Sequence, residues 1–116
     1  MDSEVKEAVK ILEKKDAEEI TVLDIREVSN LSSYFVIATA NSELHMMALR
    51  DALVDELDKN NIPVIYYDRG KGYDWLVVDC GYFIVHVFSK KGRQFYALED
   101  LWLHGKKYGS AEVLKV

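Results

Sequence analysis

Cysteine, proline and glycine are all scarce in this sequence, which limits the kinds of site and domain organisation that it can have. The 116 residues include one cysteine, Cys80, one proline, Pro63, and six glycines. A single cysteine excludes an internal disulfide and any cysteine-rich metal site. Because there is neither a proline-rich linker nor a low-complexity stretch, nothing divides the chain, and we expect one domain.

Long apolar runs and a cationic start are missing as well. A membrane-spanning helix needs about 20 consecutive apolar residues, and the runs in this chain are far shorter. A secretory signal peptide begins with cations, whereas this sequence begins Met1-Asp2-Ser3-Glu4. We therefore expect a cytoplasmic protein without a membrane partner.

Positive charge is in deficit. The chain carries 15 Lys and Arg against 20 Asp and Glu, which gives a formal net charge of -5. Nucleic-acid binding depends on cations that neutralise phosphates, so we expect no direct nucleic-acid partner and favour a basic protein partner. The 49% hydrophobic content is sufficient for a core.

Sequence motifs for catalysis and cofactor binding are absent. There is no nucleophile elbow or metalloprotease helix, and Gly70 and Gly72 precede a predicted strand instead of the helix that a phosphate loop requires. His45, His86 and His104 are scattered, with no second ligand at the spacing of a zinc site. We expect no catalytic residue, no metal and no cofactor.

The hydrophobic pattern predicts alternating helices and strands. Residues 3–15 have helical spacing, 20–28 are mainly β-branched or aliphatic, and 34–40 form an apolar run typical of a strand covered on both faces. A second helix follows Asn41-Ser42-Glu43 and ends near residue 60, before a strand at 64–67. A strand, helix and strand in this order predict parallel neighbours.

Residues 74–88 are predicted to form a hairpin with Cys80 and Gly81 in its turn. This register places Asp79 opposite Tyr82 and Trp75 opposite His86. Five side chains then share a core face: Leu76, Val78, Phe83, Val85 and Val87. With the earlier elements, the prediction is a single α/β domain with a mixed sheet of about five strands packed with helices.

The other hairpin face combines large aromatics with a histidine and a carboxylate, a composition typical of interaction surfaces. We predict Trp75, Asp79, Tyr82 and His86 as partner contacts, although core packing is equally open for Trp75. Two further candidates, Ser42 and His45, lie three residues apart at a helix start. Helix capping alone is a sufficient explanation for Ser42.

The end of the chain is less informative. The segment from Tyr96 to His104 is compatible with one or two helical turns closed by Gly105. We treat residues 106–116 as a C-terminal tail, and the sequence does not decide whether it packs on the domain.

Six segments in order resemble the ribosomal silencing factor family, also called Iojap or RsfS, over about residues 5–103. They are LDI at 23–25, SSYFVIAT at 32–39, NS at 41–42 with His45, DWLVVD at 74–79, VHVF at 85–88 and RQFYALEDLW at 93–102. The resemblance implies a fold similar to the nucleotidyltransferases, without established transferase activity, in a silencing factor domain at 1–105.

The resemblance also implies a partner and a mechanism. Family members bind large-subunit ribosomal protein fourteen at the face where the small subunit docks, and they lower translation under nutrient scarcity by blocking subunit joining. Three positions lack an acid that the family commonly carries: Ser33, Arg69 and Tyr82. If those acids meet basic partner residues, their loss reduces charge complementarity, while the aromatic Tyr82 enlarges the contact surface.

Two alternatives remain open. Asp24, Asp79 and His86 lie on strands and could converge on one sheet face, so a nucleotidyl or phosphoryl transferase that holds a metal with Asp24 and Asp79 is the enzymatic alternative. Structural hydrogen bonding is the more common role of such residues. The aromatic hairpin face could instead mediate a homodimer.

Overall fold

The computed structural model describes residues 2–102 and 106–115. The helices are α1 (Ser3–Lys14), α2 (Glu43–Lys59), α3 (Lys90–Tyr96) and α4 (Ser110–Lys115), with a 3-10 helix at Leu98–Trp102. The strands are β1 (Glu18–Asp24), β2 (Tyr34–Ala40), β3 (Tyr66–Tyr67), β4 (Trp75–Asp79), β5 (Phe83–Ser89) and β6 (Lys106–Gly109). Among the described helices, none is long and apolar enough to cross a membrane.

The strands form one mixed sheet in the order β3-β4-β5-β2-β1-β6. This confirms the predicted single α/β domain with a mixed sheet, and the described residues contain six strands instead of about five. Only β2 and β5 pair in parallel among these neighbours. The expected parallel pairing of β2 with β3 is wrong, because the β4–β5 hairpin lies between them and β5 supplies the longer, more buried neighbour.

Strand β2 is the centre of the sheet, and all seven of its residues are buried. Helices α1 and α2 cover one face of the sheet with apolar side chains at helical spacing, including Val5, Val9 and Leu12 of α1. On α2, Leu49 and Leu53 are fully buried in the same cluster. This cluster contains many more buried side chains than the one on the opposite face, and burial of each contributes about 2 kcal/mol, so this face holds most of the core.

The opposite face has a smaller cluster. It comprises Leu23, Ile25, Phe35, Ile37, Phe88 and Leu98. Leu98 belongs to the 3-10 helix after α3, so this short segment covers the centre of the face. Arg93 of α3 ties the cover to the sheet, since its guanidinium donates to Thr39 Oγ1 at 2.9 Å and to Glu99 Oε1 at 2.8 Å.

The segment after residue 105 packs on the domain as far as it is described. Lys106–Gly109 pairs with β1 as an edge strand. Val113 of α4 is fully buried in the larger cluster. Residues 106–115 therefore belong to the fold.

The β4–β5 hairpin has the predicted faces but a different register. Asp79 pairs with Ile84 and Trp75 with Phe88. Cys80 N–H donates to the Phe83 carbonyl, so the two turn residues are Gly81 and Tyr82. A glycine with φ +79° at the first turn position is typical of a tight hairpin turn.

The error in register does not exchange the faces. The turn lies one residue later in the chain than predicted, so each β4 residue pairs with a β5 residue two positions further along. A shift of two positions leaves every side chain on its predicted face. All five side chains predicted for the core face are buried: Leu76, Val78, Phe83, Val85 and Val87.

Helix α3 packs against the start of β4 through a glycine. Ser89 caps the helix by accepting from Gly92 N–H at 2.9 Å, and its hydroxyl donates to Asp74 Oδ1 at 2.8 Å. A Cβ on Gly92 would overlap the carbonyl oxygen of Asp74. The close approach therefore requires glycine at this position.

Gly92→Ala is expected to destabilise the protein by at least about 2 kcal/mol, since the methyl group forces α3 away from β4. Gly109→Ala is the matched control, because a Cβ there meets only Glu112 Oε1 at 3.7 Å. Urea unfolding of both variants measures the difference. Equal free energies of unfolding in the two variants would contradict the packing constraint.

Candidate functional site

Beyond the cover formed by α3, one part of the sheet stays accessible. Five side chains on β3, β4 and β5 project from this side, and we call them the open sheet face: Tyr66, Trp75, Val77, Asp79 and Ile84. Their common side follows from register, since Asp79 pairs with both Tyr66 and Ile84. Tyr66 is 55% exposed and the others are half-buried. The centre of this surface is apolar and aromatic.

Trp75 lies at the boundary between the open sheet face and the smaller core cluster. Its ring stacks on Phe88 with centroids 5.2 Å apart and contacts Tyr96 at 4.9 Å. Its indole N–H donates to His86 Nδ1 at 3.0 Å. The sequence left core packing and partner contact open for Trp75. The half-buried ring packs on the smaller core cluster on one side and is accessible to a partner on the other.

His86 was predicted as a partner contact, but its side chain is only 5% exposed. The ring meets Phe35 edge-on at 4.5 Å and accepts the hydrogen bond from Trp75. Burial lowers the pKa of His86 to about 4. The imidazole is therefore neutral at physiological pH, and its hydrogen bond to Trp75 links it to the open sheet face.

Two carboxylates border the open sheet face. Asp79 Oδ1 accepts from Gly81 N–H at 2.8 Å, which holds the hairpin turn. Asp68 accepts from the Tyr66 hydroxyl and from Val77 N–H, each at 2.8 Å. Asp68 thus fixes Tyr66 on the surface and adds negative charge beside it. Sequence reasoning missed Asp68 and Tyr66, because their place depends on the β3–β4 register.

Tyr82 lies at the tip of the hairpin. It is 41% exposed, and its ring lies 5.8 Å from that of Tyr34. Its carbonyl accepts from the Ser33 N–H and from the Ser32 hydroxyl, which binds the tip to the loop before β2. Tyr82 therefore borders the end of the sheet nearest to Asp79.

Ser42 and His45 follow the end of β2 that lies nearest to Trp75, since Trp75 pairs with Phe88 and Phe88 with Thr39. Ser42 accepts from the backbone N–H of His45 at 3.0 Å, so it is a helix cap. His45 Nδ1 accepts from Asn41 N–H, and its Nε2 lies 2.8 Å from the carbonyl of Lys15, as donor when Nδ1 accepts. Ser42 also lines a shallow pocket with Ser89 and with Asp74, which is next to Trp75 in the chain.

The residues of the enzymatic alternative do not converge. Asp24 is opposite Tyr34 on the face of the larger cluster, whereas Asp79 projects from the opposite face. Their strands are also three spacings apart, about 14 Å. Arg26 donates to both Asp24 oxygens, at 3.0 and 2.7 Å, and this hydrogen bonding lowers the pKa of Asp24.

No other metal or nucleophile site takes their place within residues 2–102 and 106–115. Groups of three or more His, Cys, Asp or Glu that could hold a metal ion are not found there. Burial raises the pKa of the Cys80 thiol to about 12, so the thiolate that attacks substrates is not formed at neutral pH.

An α/β domain with an accessible aromatic sheet face belongs to the class of proteins that can bind another macromolecule through that face. The profile of the family described as "Ribosomal silencing factor during starvation" matches residues 1–115. The chain belongs to this ribosomal silencing factor family.

Individual relatives agree with the family profile. The chain is 38% identical over 91 residues to the ribosomal silencing factor RsfS of Bacillus subtilis, covering 76% of this chain and 75% of the relative. It is 31% identical over 100 residues to an Iojap-related mitochondrial protein of Arabidopsis thaliana, covering 83% of this chain and 54% of that protein.

Solved structures show the same fold. A crystal structure from Chromobacterium violaceum superposes with a TM-score of 0.83 at 26% identity, covering 88% of this chain and 87% of the other. A second, from Bacillus halodurans, gives a TM-score of 0.73 at 31% identity, covering 84% and 91%.

Acidification is expected to destabilise the fold through His86. The imidazole protonates near pH 6.5 in the unfolded chain, whereas burial lowers its folded-state pKa to about 4. The unfolded state therefore binds more protons between these two pH values. The free energy of unfolding keeps its full value with respect to His86 above about pH 6.5, and this contribution is lost as the pH falls toward 4. The loss reaches about 3 kcal/mol.

Urea unfolding at several pH values between 7 and 4 measures this loss. His86→Asn removes the titrating imidazole, while the carboxylates titrate in both proteins. The difference between the two slopes of unfolding free energy against pH therefore isolates His86. Identical pH slopes in the wild type and the variant would show that burial of His86 does not produce the effect.

Proposed function

We propose that this silencing factor binds the large ribosomal subunit through the open sheet face and blocks docking of the small subunit, which represses translation by steric exclusion. The observation that carries the proposal is Trp75, a half-buried indole that shares with Val77 and Ile84 a face that α3 leaves accessible. Aromatic side chains of this kind are frequent anchors of protein interfaces.

Charge supports a basic protein as the contact. The net charge is -5, and Asp68 and Asp79 lie beside the apolar centre of the face. Two carboxylates beside an apolar surface attract Lys and Arg and disfavour rRNA phosphates. Large-subunit ribosomal protein fourteen, the partner implied by family resemblance, is the proposed contact, with no direct nucleic-acid contact, metal or cofactor required.

Tyr82 extends the proposed contact to the end of the sheet. It follows Asp79 across the hairpin turn, its ring contacts Tyr34 of the larger cluster, and Ile65, 69% exposed, lies close to Gly81. Ser42 and His45 lie at the end of the sheet that holds Trp75, so they stay candidate contacts at that margin, besides their hydrogen bonds at the start of α2. The site of action proposed for the chain is the cytoplasm, where ribosomal subunits join.

Trp75→Ala is expected to weaken binding to large subunits by at least about 2 kcal/mol, about 30-fold in Kd. Co-sedimentation with purified large subunits measures binding, and a subunit-joining assay measures inhibition. Leu44→Ala is the matched control, since Leu44 is 74% exposed but lies in the first turn of α2, which packs on the opposite face.

Because Trp75 also contacts Phe88, unfolding of each variant is measured in parallel. Tyr66→Ala is a second variant, since Tyr66 is 55% exposed, and we expect about 5-fold weaker binding. A wild-type chain that neither co-sediments with large subunits nor inhibits their joining would refute the proposed function. Unchanged affinity of both folded variants would refute the open sheet face as the docking surface.

The same face is proposed as the contact in a homodimer, because an exposed apolar surface without its partner favours self-association. Binding of the ribosome and dimerisation would then compete. We expect inhibition per molecule to fall as protein concentration rises, and Trp75→Ala to be monomeric in sedimentation velocity. A wild type that is monomeric throughout a wide dilution series would contradict the homodimer.

A further inference from the structure

Trp75 is not held in place by strand pairing alone. Its direct neighbour across the hairpin is Phe88, and His86 is opposite Val77. The hydrogen bond from the Trp75 indole to His86 Nδ1, 3.0 Å long, therefore joins a diagonal pair. Stacking on Phe88 is compatible with more than one orientation of the indole in its plane, whereas a hydrogen bond to one side selects a single orientation.

His86 itself is rigid. It is 5% exposed, and its strand is paired on both sides, with β2 and with β4. Phe35 meets the imidazole edge-on with centroids 4.5 Å apart. An acceptor fixed in this way can orient a more mobile side chain that lies closer to the surface.

An imidazole at this position costs stability. Its Nε2 is buried and has no hydrogen-bond partner within the described residues. Burial of a polar group without a partner costs about 1–3 kcal/mol, and an apolar ring of similar shape would avoid this cost. The described hydrogen bond of the imidazole is the one to Trp75, so orientation of the indole is the gain that offsets the cost.

We infer that His86 is a positioning residue, which holds the Trp75 indole in the orientation that docks with the partner. The inference rests on the proposed function of the open sheet face. It assigns His86 an indirect role, through its Nδ1 acceptor, in place of a direct contact.

His86→Phe keeps an aromatic ring and removes the acceptor, and His86→Asn retains an acceptor oxygen close to the place of Nδ1. We expect His86→Phe to bind large subunits about 5-fold more weakly while its stability is equal to or above that of the wild type. We expect His86→Asn to restore binding to within about 2-fold, because loss of one hydrogen bond corresponds to about 1 kcal/mol.

The indole N–H resonance of Trp75 gives a direct readout in the free protein. The chain has two tryptophans, and Trp75→Phe assigns the signal. We expect the resonance to shift and broaden in His86→Phe and to stay near its wild-type position in His86→Asn. A change in packing alone would not be reversed by asparagine.

A double-mutant cycle completes the test. In a Trp75→Phe background, which lacks the indole donor, His86→Phe is expected to have no further effect on binding. A folded His86→Phe variant that binds like the wild type would overturn the inference while the proposed function stands. If the wild type itself fails to bind, the proposed function is refuted, and an unchanged indole resonance in His86→Phe would independently overturn the positioning role.

Discussion

The structure depends on the burial of β2 from both sides. All seven residues of this strand are buried, so the sheet must be covered on both faces where β2 passes. Helices α1 and α2 supply one cover. The other cover comes from α3 and the 3-10 helix, a segment too short to extend over the whole sheet. This difference in length leaves the outer strands of one face accessible.

The boundary of the short cover explains the character of the open sheet face. The aromatic contacts run from fully buried Phe88 through half-buried Trp75 to Tyr96, which is 43% exposed. A partner that covers Trp75 would therefore extend an existing core cluster. Docking would bury apolar surface at an edge whose inner side is already ordered by Phe88 and His86, which reduces the entropy lost on binding.

The three positions where the resemblance leads us to expect an acid have different settings in the fold. Ser33 and Tyr82 are joined by a backbone hydrogen bond at the hairpin tip. Arg69 lies over the Tyr67 ring, with its guanidinium carbon 4.6 Å from the centroid. Asp68 and Asp79 lie at the open sheet face, so negative charge is present where the proposed contact is centred.

The sequence by itself determined most elements between residues 3 and 89 and the faces of the hairpin. Alternating side chains in residues 74–88 separated core from surface correctly although the register was displaced, because strand side chains repeat every two residues. The ordered motifs also identified the family, since each is local in the chain. The burial of His86 was not predictable in this way, since it depends on Phe35 from another strand and on the limited cover from α3.

Only the tertiary structure decided which residues act together. It put Asp24 and Asp79 on opposite faces, brought Ser42 to the end of the sheet that holds Trp75, and brought Tyr66 beside Asp79. These relations depend on strand order and on pairing between distant segments. A periodic pattern reports the side on which a residue lies within its own strand, and it contains no information about which strand becomes its neighbour.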